Sequence, residues 1–301
     1  MTDLQWHYFD IRLRVPFRGQ TSRRGAVVRG PFGWGEYSPF PGFGSEDFRA
    51  AARSAYSAAF APWPEPVRDA VPVHVTVPAL GPREAADLVR FSGCSAAKVK
   101  VAEGADEARV EAVREALGPG GRLVLDANGG WDTDEAIRRI RVFCRYSVDL
   151  VEQPVRTIEG LAEVRRSVDV PIAADESACS EEAVLRLVKL EAADVLVIKV
   201  QSLGGVAEAQ RIIEVSGLPA VVSSMLETSV GMAAGLALAA ALENLPYPCG
   251  LGTVGLLDGD LVADSLLPRG GRLTVRRPEV DQSLLERYAD RDPVEVPVGG
   301  R

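Results

Sequence analysis

The sequence predicts an α/β barrel of eight strands, preceded by a small α+β unit. Two observations carry this. After residue 69, short apolar runs alternate with amphipathic stretches of helical period, the pattern of βαβ units around a parallel sheet. The polar residues that end these runs are Thr76, Lys100, Asp126, Glu152, Asp175, Lys199, Ser223 and Cys249, spaced by 24, 26, 26, 23, 24, 24 and 26 residues. A strand–helix–loop unit recurring that often closes into a barrel in preference to an open doubly wound sheet.

The front unit lacks this rhythm. Residues 4–15 read as a strand, and 17–25 as a basic, glycine-containing loop. Residues 26–29 and 32–37 read as two short strands around Gly30-Pro31, a hairpin signal. An aromatic and glycine loop follows at 40–44, then a helix over 46–60 with Ser45 as its cap and Glu46 and Asp47 in its first turn. Pro62, Pro64 and Pro66 mark the boundary. Strands are then expected at 71–77, 96–101, 122–126, 149–152, 171–175, 195–199 and 220–223, with a weaker one at 247–251. Helical stretches fall between them, at 105–117, 133–143, 158–168 and 206–216 among others. The expected division is residues 1–68, 69–255 and a segment 256–301, its end a polar tail that returns in part to the front unit.

The chain carries 34 basic and 42 acidic residues, a net charge of −8, which argues against nucleic acid or an anionic membrane as partner. A small anionic substrate stays admissible if positive charge is concentrated at its site. With 47% hydrophobic and 25% charged residues, the composition is that of a folded protein. Cys94, Cys144, Cys179 and Cys249 form no Cys-x-x-Cys and read as free thiols. With no basic-then-apolar leader, a cytoplasmic location is expected. The longest apolar stretch, 230–242, is shorter than the ~20 residues a bilayer span needs and reads as a packed helix. Nothing in the sequence speaks to oligomeric state.

In such barrels the C-terminal strand ends carry the chemistry. Asp126, Glu152 and Asp175 end three successive strands. Three facing carboxylates repel unless a cation lies among them, and oxygen donors suit Mg²⁺ or Mn²⁺. Each taken alone reads more readily as a helix cap or a surface acid. Lys98 and Lys100 are two apart on an apolar strand, so they share a face. Burial and like charge are expected to push such a lysine toward the neutral, general-base form. Lys199 arrives from four strands on. Gly250 to Gly255 match G-x-G-x-x-G, but without a Rossmann unit they read as a tight loop at the barrel mouth.

These motifs resemble those of the enolase superfamily, muconate-lactonizing subgroup, and within it an actinobacterial synthase branch. The resemblance rests on Lys98-Val99-Lys100, Asp126-Ala127-Asn128-Gly129, Glu152-Gln153-Pro154, Asp175-Glu176-Ser177 and Lys199-Val200-Gln201, with Gly33-Trp34-Gly35-Glu36 and Arg18-Gly19 in front. It implies a modified (β/α)7β TIM barrel with an N-terminal α+β capping domain. It implies a magnesium-dependent syn dehydration of 2-succinyl-6-hydroxy-2,4-cyclohexadiene-1-carboxylate to o-succinylbenzoate, a step of menaquinone synthesis, through proton abstraction by a lysine and a metal-stabilised enediolate. The ligands would be Asp126, Glu152 and Asp175, with Asn128 and Glu176 behind them. Lys100 would be the base, Lys98 would hold the carboxylate and depress the pKa of Lys100, and Lys199 would stabilise charge from the opposite face. Ser223, Ser224, Gly252 and Arg18 would bind the dicarboxylate substrate, with Phe43 also covering the site. Racemisation of N-acylamino acids is the alternative activity and a non-catalytic, ligand-binding barrel the alternative class. The last strand has no Asp-x-Asp, which speaks against a dipeptide epimerase.

Overall fold

The structure is a computed structural model and describes residues 4–17, 19–41 and 44–297. Its front unit is an antiparallel sheet of β1 (Trp6–Phe17), β2 (Gln20–Gly30) and β3 (Gly33–Tyr37), in that order, covered by helix α1 (Ser45–Phe60). Helix and sheet touch most closely at Gly35, where any Cβ would collide with the Ala55 carbonyl. Two expectations change here. The basic stretch 17–25 is mostly strand, with Phe17 paired to Gln20 across the turn. It disguises itself because one of its inward positions is a charged residue, the fully buried Arg23. The helix is capped by Gly44 instead of Ser45, and the Gly44 N–H donates to Asp47 Oδ2 at 2.9 Å, which fixes the first turn from inside.

The barrel follows. Its elements are β4 (Ala70–Pro72), β5 (Val75–Val77), α2 (Pro82–Ser92), β6 (Ala96–Lys100), α3 (Asp106–Leu117), β7 (Arg122–Asp126), α4 (Thr133–Phe143), β8 (Leu150–Glu152) and α5 (Ile158–Ser167). They continue as β9 (Ile172–Ala174), α6 (Glu181–Lys189), β10 (Val195–Ile198), α7 (Val200–Leu203), α8 (Val206–Ser216), β11 (Ala220–Val222) and α9 (Ser229–Ala241). Strands β5 to β11 run parallel in sequence order. Parallel bridges from Cys249 to Val73 and from Gly250 to Ser223 close the circle. The weak run at 247–251 is therefore the eighth staff of the barrel, reduced to two bridges. The expected strand 71–77 is split. Pro72 has no N–H for a central ladder, and β4 pairs instead with β12 (Arg272–Thr274), outside the barrel.

Residues 279–297, polar in composition, are not a free tail. After helix α10 (Gln282–Arg287), Ala289 bridges Phe9, and the Asp10 and Asp290 N–H groups donate to the Tyr288 and Tyr8 carbonyls at 2.9 and 3.0 Å. Arg24 Nε donates to Asp290 Oδ2 at 2.7 Å, and Val294 and Val296 pack on the cluster of Tyr37 and Ala51.

The front sheet sits on the barrel through a buried acid. Glu36 on β3 is 3% exposed and accepts from Thr228 Oγ1 at 2.5 Å, Gly231 N at 2.9 Å and Thr228 N at 3.2 Å, all at the start of α9, and from Ser38 Oγ at 2.6 Å. A carboxylate at a helix N-terminus is favourable. Burial nonetheless dominates and, with repulsion from Glu227, raises its pKa from 4.5 to about 7 against the pull of these hydrogen bonds. The folded state therefore holds a proton that the unfolded state releases between those two values. This contribution is complete below pH 4.5 and is lost as the pH rises through 7, by on the order of 3 kcal/mol at most. Denaturant melts across that window should show stability falling with pH more steeply in the wild type than in Glu36→Gln. Equal slopes in the two proteins would remove this account.

Candidate active site

Strand register assembles the site. Lys100, Asp126 and Glu152 stand in one row across β6, β7 and β8, with Lys98 two positions back on the same face. Asp175 follows β9 and Lys199 follows β10. All six side chains are buried or nearly so: Asp126 is 0% exposed and Glu152 1%. Lys98 Nζ lies 2.9 Å from Glu152 Oε1 and 3.1 Å from Asp126 Oδ2. Lys100 Nζ reaches the same Asp126 oxygen at 2.6 Å, and donates also to Asn128 Oδ1. Lys199 donates to both oxygens of Asp175.

The electrostatics differ from expectation in one respect. Burial does disfavour the Lys98 ammonium, but attraction to Glu152, Asp126 and Asp175 outweighs it and holds the pKa above that of an ordinary lysine. Lys199 is raised in the same way, burial being outweighed by Asp175 and Glu176. The expected drift of buried lysines toward neutrality is reversed for these two, because the acids that share the site are nearer than the other lysines. Asp126 is held well below the usual carboxylate range by Lys100 and Lys98 despite its burial, and Asp175 below it by Lys199. Glu152 goes the other way. Burial and repulsion from Asp126 lift it to about 8.

The two strand sets share one cavity. Lys98, Lys100, Asp126, Asn128, Asp175 and Lys199 line a tight space of about 30 Å³, which Ser223, Ser224, Gly250 and Thr253 complete. A chamber of about 280 Å³ shares Phe40, Asp175 and Lys199 with it. Gly252 is not on this wall. It packs against the His74 backbone, and its neighbours Gly250 and Thr253 face the cavity instead. Arg18 and Phe43 lie outside the described residues. Asn128 Nδ2 donates to Glu176 Oε1 at 2.9 Å, joining the two residues expected behind the ligands. His74 is buried below the lysines and is not among the lining residues. Burial and Lys98 lower its pKa to about 3.

Several contributors escaped the sequence reading. Phe17 and Phe40 come over the mouth from the front sheet, the Phe17 ring 5.4 Å from Lys100 Nζ. Gln153 accepts from the Asp175 and Ser177 N–H groups at 2.8 and 3.1 Å and donates to the Val155 carbonyl at 2.8 Å and Ser177 Oγ at 2.7 Å, tying the end of β8 to the end of β9. It does so at a φ of +40°, and Ala102, Asn128 and Leu226 are likewise left-handed just beyond β6, β7 and β11. Non-glycine residues in that region carry strain, which persists where surrounding structure holds it. Alternating burial gives no signal for any of these. A polar residue directly after a Glu or Asp strand end is the one hint that pointed to Gln153.

Among the described residues no three His, Cys, Asp or Glu side chains converge as a ready ligand set, because each carboxylate is turned onto an ammonium. The donor chemistry nevertheless fits a hard divalent cation: Asp126 and Asp175 line the cavity, Glu152 is buried beside Asp126 in the next strand, and no sulfur or imidazole is among the described lining residues.

A capped α/β barrel with lysines and carboxylates at the C-terminal strand ends defines a barrel enzyme that works at its mouth. Residues 8–59 match the family model of enolase N-terminal domain-like proteins, and 82–279 that of enolase C-terminal domain-like proteins. The o-succinylbenzoate synthase of Thermobifida fusca is 56% identical over 92% of the chain and 89% of its own length. A dipeptide epimerase from Enterococcus faecalis, solved with Mg and a dipeptide, is 25% identical with a TM-score of 0.78 over 92% of this chain and 97% of its own. The muconate lactonizing enzyme of Pseudomonas fluorescens shares the fold at 22% identity and a TM-score of 0.83, over 96% of this chain and 98% of its own. The chain belongs to the enolase superfamily and, within it, to the o-succinylbenzoate synthases. It is a lyase, and enzymes of this superfamily use a divalent metal. No helix among the described residues is long and apolar enough to cross a membrane.

Proposed function

We propose that this chain dehydrates 2-succinyl-6-hydroxy-2,4-cyclohexadiene-1-carboxylate to o-succinylbenzoate, with Lys100 as base. One observation carries the assignment: Lys100 and Lys199, from strands on different sides of the barrel, line one cavity with Asp126 and Asp175. Lys100 in its neutral form takes the proton α to the ring carboxylate, and the C–H electron pair passes into an enediolate. The resulting Lys100 ammonium then gives a proton to the departing hydroxyl on the same face. The C–O bond breaks, water leaves and the ring becomes aromatic. Lys98, anchored on Asp126 and Glu152, is positioned to hold the substrate carboxylate. Lys199 faces the developing charge from the other side. Ser223 and Ser224 bind the succinyl end, with Gly252 shaping the loop behind them. Asp126, Glu152 and Asp175 would hold Mg²⁺, which would supply Lewis-acid stabilisation of the carboxylate charge.

The same reading divides the chain into a cap (1–68), a barrel (69–255) and a returning segment (256–301), and places the protein in the cytoplasm. The test is the initial rate of dehydration with EDTA and after Mg²⁺ is added back. Activity should fall to background with chelator and return with Mg²⁺. Undiminished turnover in EDTA would refute the metal, and no turnover in any condition would refute the substrate.

A further inference from the structure

The loop that carries Ser223 and Ser224 into the cavity contains a conformational weak point. Leu226 has φ +60°, a conformation that a leucine adopts at a cost, and it lines the cavity beside Lys100. What holds it there comes from the other domain. Arg23, on β2 of the cap, is 1% exposed, and its Nε donates to the Leu226 carbonyl at 3.3 Å. A second nitrogen of the same guanidinium donates to the Ser38 carbonyl, and the plane lies 4.3 Å from the centre of the Phe40 ring, which lines the cavity. From the barrel side, Glu227 Oε2 accepts from the Met225 N–H at 2.6 Å, fixing the residue before the strained one.

The grip extends to the lysine on the far side. Ser38, held by Arg23, donates its N–H to Gln201 Oε1 at 2.7 Å, and Gln201 lies two residues after Lys199. Glu36 on β3 anchors the start of α9 immediately beyond Glu227. Burial lowers the pKa of Arg23, with Glu227 and Glu36 opposing the drop. One cap arginine thus touches the serine loop, the Phe40 cover and, through Ser38, the loop of Lys199.

We propose that Arg23 is a positioning residue for substrate binding: it holds the left-handed turn at Leu226 and the Phe40 ring in place, so that docking of the cap and the shape of the succinyl-binding wall are one event. A lysine at this position keeps the charge but loses the fork that reaches two carbonyls at once and the plane that lies on Phe40. The proposal rests on the dehydration reading.

The experiment compares wild type, Arg23→Lys and Arg23→Met by dehydration kinetics, thermal melting and Mg²⁺ titration of the rate. The wild type turning over establishes the reading on which the rest depends, and its failure to do so overturns that reading before the variants are considered. In a folded variant the expected result is a KM raised tenfold or more, with Mg²⁺ half-saturation within threefold of wild type and kcat less affected than KM. A merely structural role lowers the melting temperature and the active fraction but leaves KM unmoved. If Arg23→Met does not fold, Arg23→Lys decides. A KM within twofold of wild type in every folded variant would overturn the proposal.

Discussion

Replacing Lys100 by alanine is expected to reduce dehydration by at least ~10³-fold with the fold intact, in line with the loss of a positioned general base. The fold survives because Lys98 still reaches Asp126 at 3.1 Å and Glu152 at 2.9 Å, so neither buried acid is left without a cation. Asn128 also donates its backbone N–H to Asp126 Oδ1 at 3.1 Å. The measurement is the single-turnover rate at saturating Mg²⁺, alongside thermal melting of the same sample. A rate within tenfold of wild type would take the role of base away from Lys100 and leave Lys199 as the lysine to examine.

Asp126→Asn should be worse than a catalytic defect. Asp126 is fully buried and accepts from both lysines of β6. The substitution removes the carboxylate that both lysines share, leaving Lys98 to Glu152 and the attraction of Asp175, and Lys100 to Asn128. Breaking a buried pair by removing one partner costs about 3–5 kcal/mol. On the present reading it also removes one of three metal ligands, so the Mg²⁺ concentration for half-maximal rate should rise by roughly 10²-fold or more. Thermal melting and a Mg²⁺ titration of the rate read the two effects separately. A destabilised protein with an unchanged Mg²⁺ requirement would keep Asp126 as a structural acid and exclude it as a ligand.

The lysines and carboxylates were legible because a polar residue that recurs at the end of apolar strands has one place to go in a closed barrel, its mouth. Lys98 and Lys100 were legible as a pair because a strand repeats every second residue. Their protonation was not, because it depends on which acids lie across the barrel, and Asp175 reaches Lys98 from three strands away. Arg23 looked like loop because its partners, Leu226 and Ser38, sit on another domain and just past the end of another strand. Gln153 and Gln201 carry amides whose use is decided by backbone groups brought near by folding. Strand β12 was missed for a similar reason: three residues that pair with β4 are too few to show a period.

The return of the C-terminal segment to the cap sets an order of events during synthesis. Phe9 and Ile11 precede the barrel in the chain, yet Leu257, Leu261, Val262 and Leu285, which follow it, pack in the same cluster. At ribosomal speeds of roughly 5–20 residues per second, those covering residues emerge some tens of seconds later. The cap is therefore begun before the barrel and finished after it. Until the barrel has been made, a nascent chain therefore carries part of the apolar face of β1 uncovered.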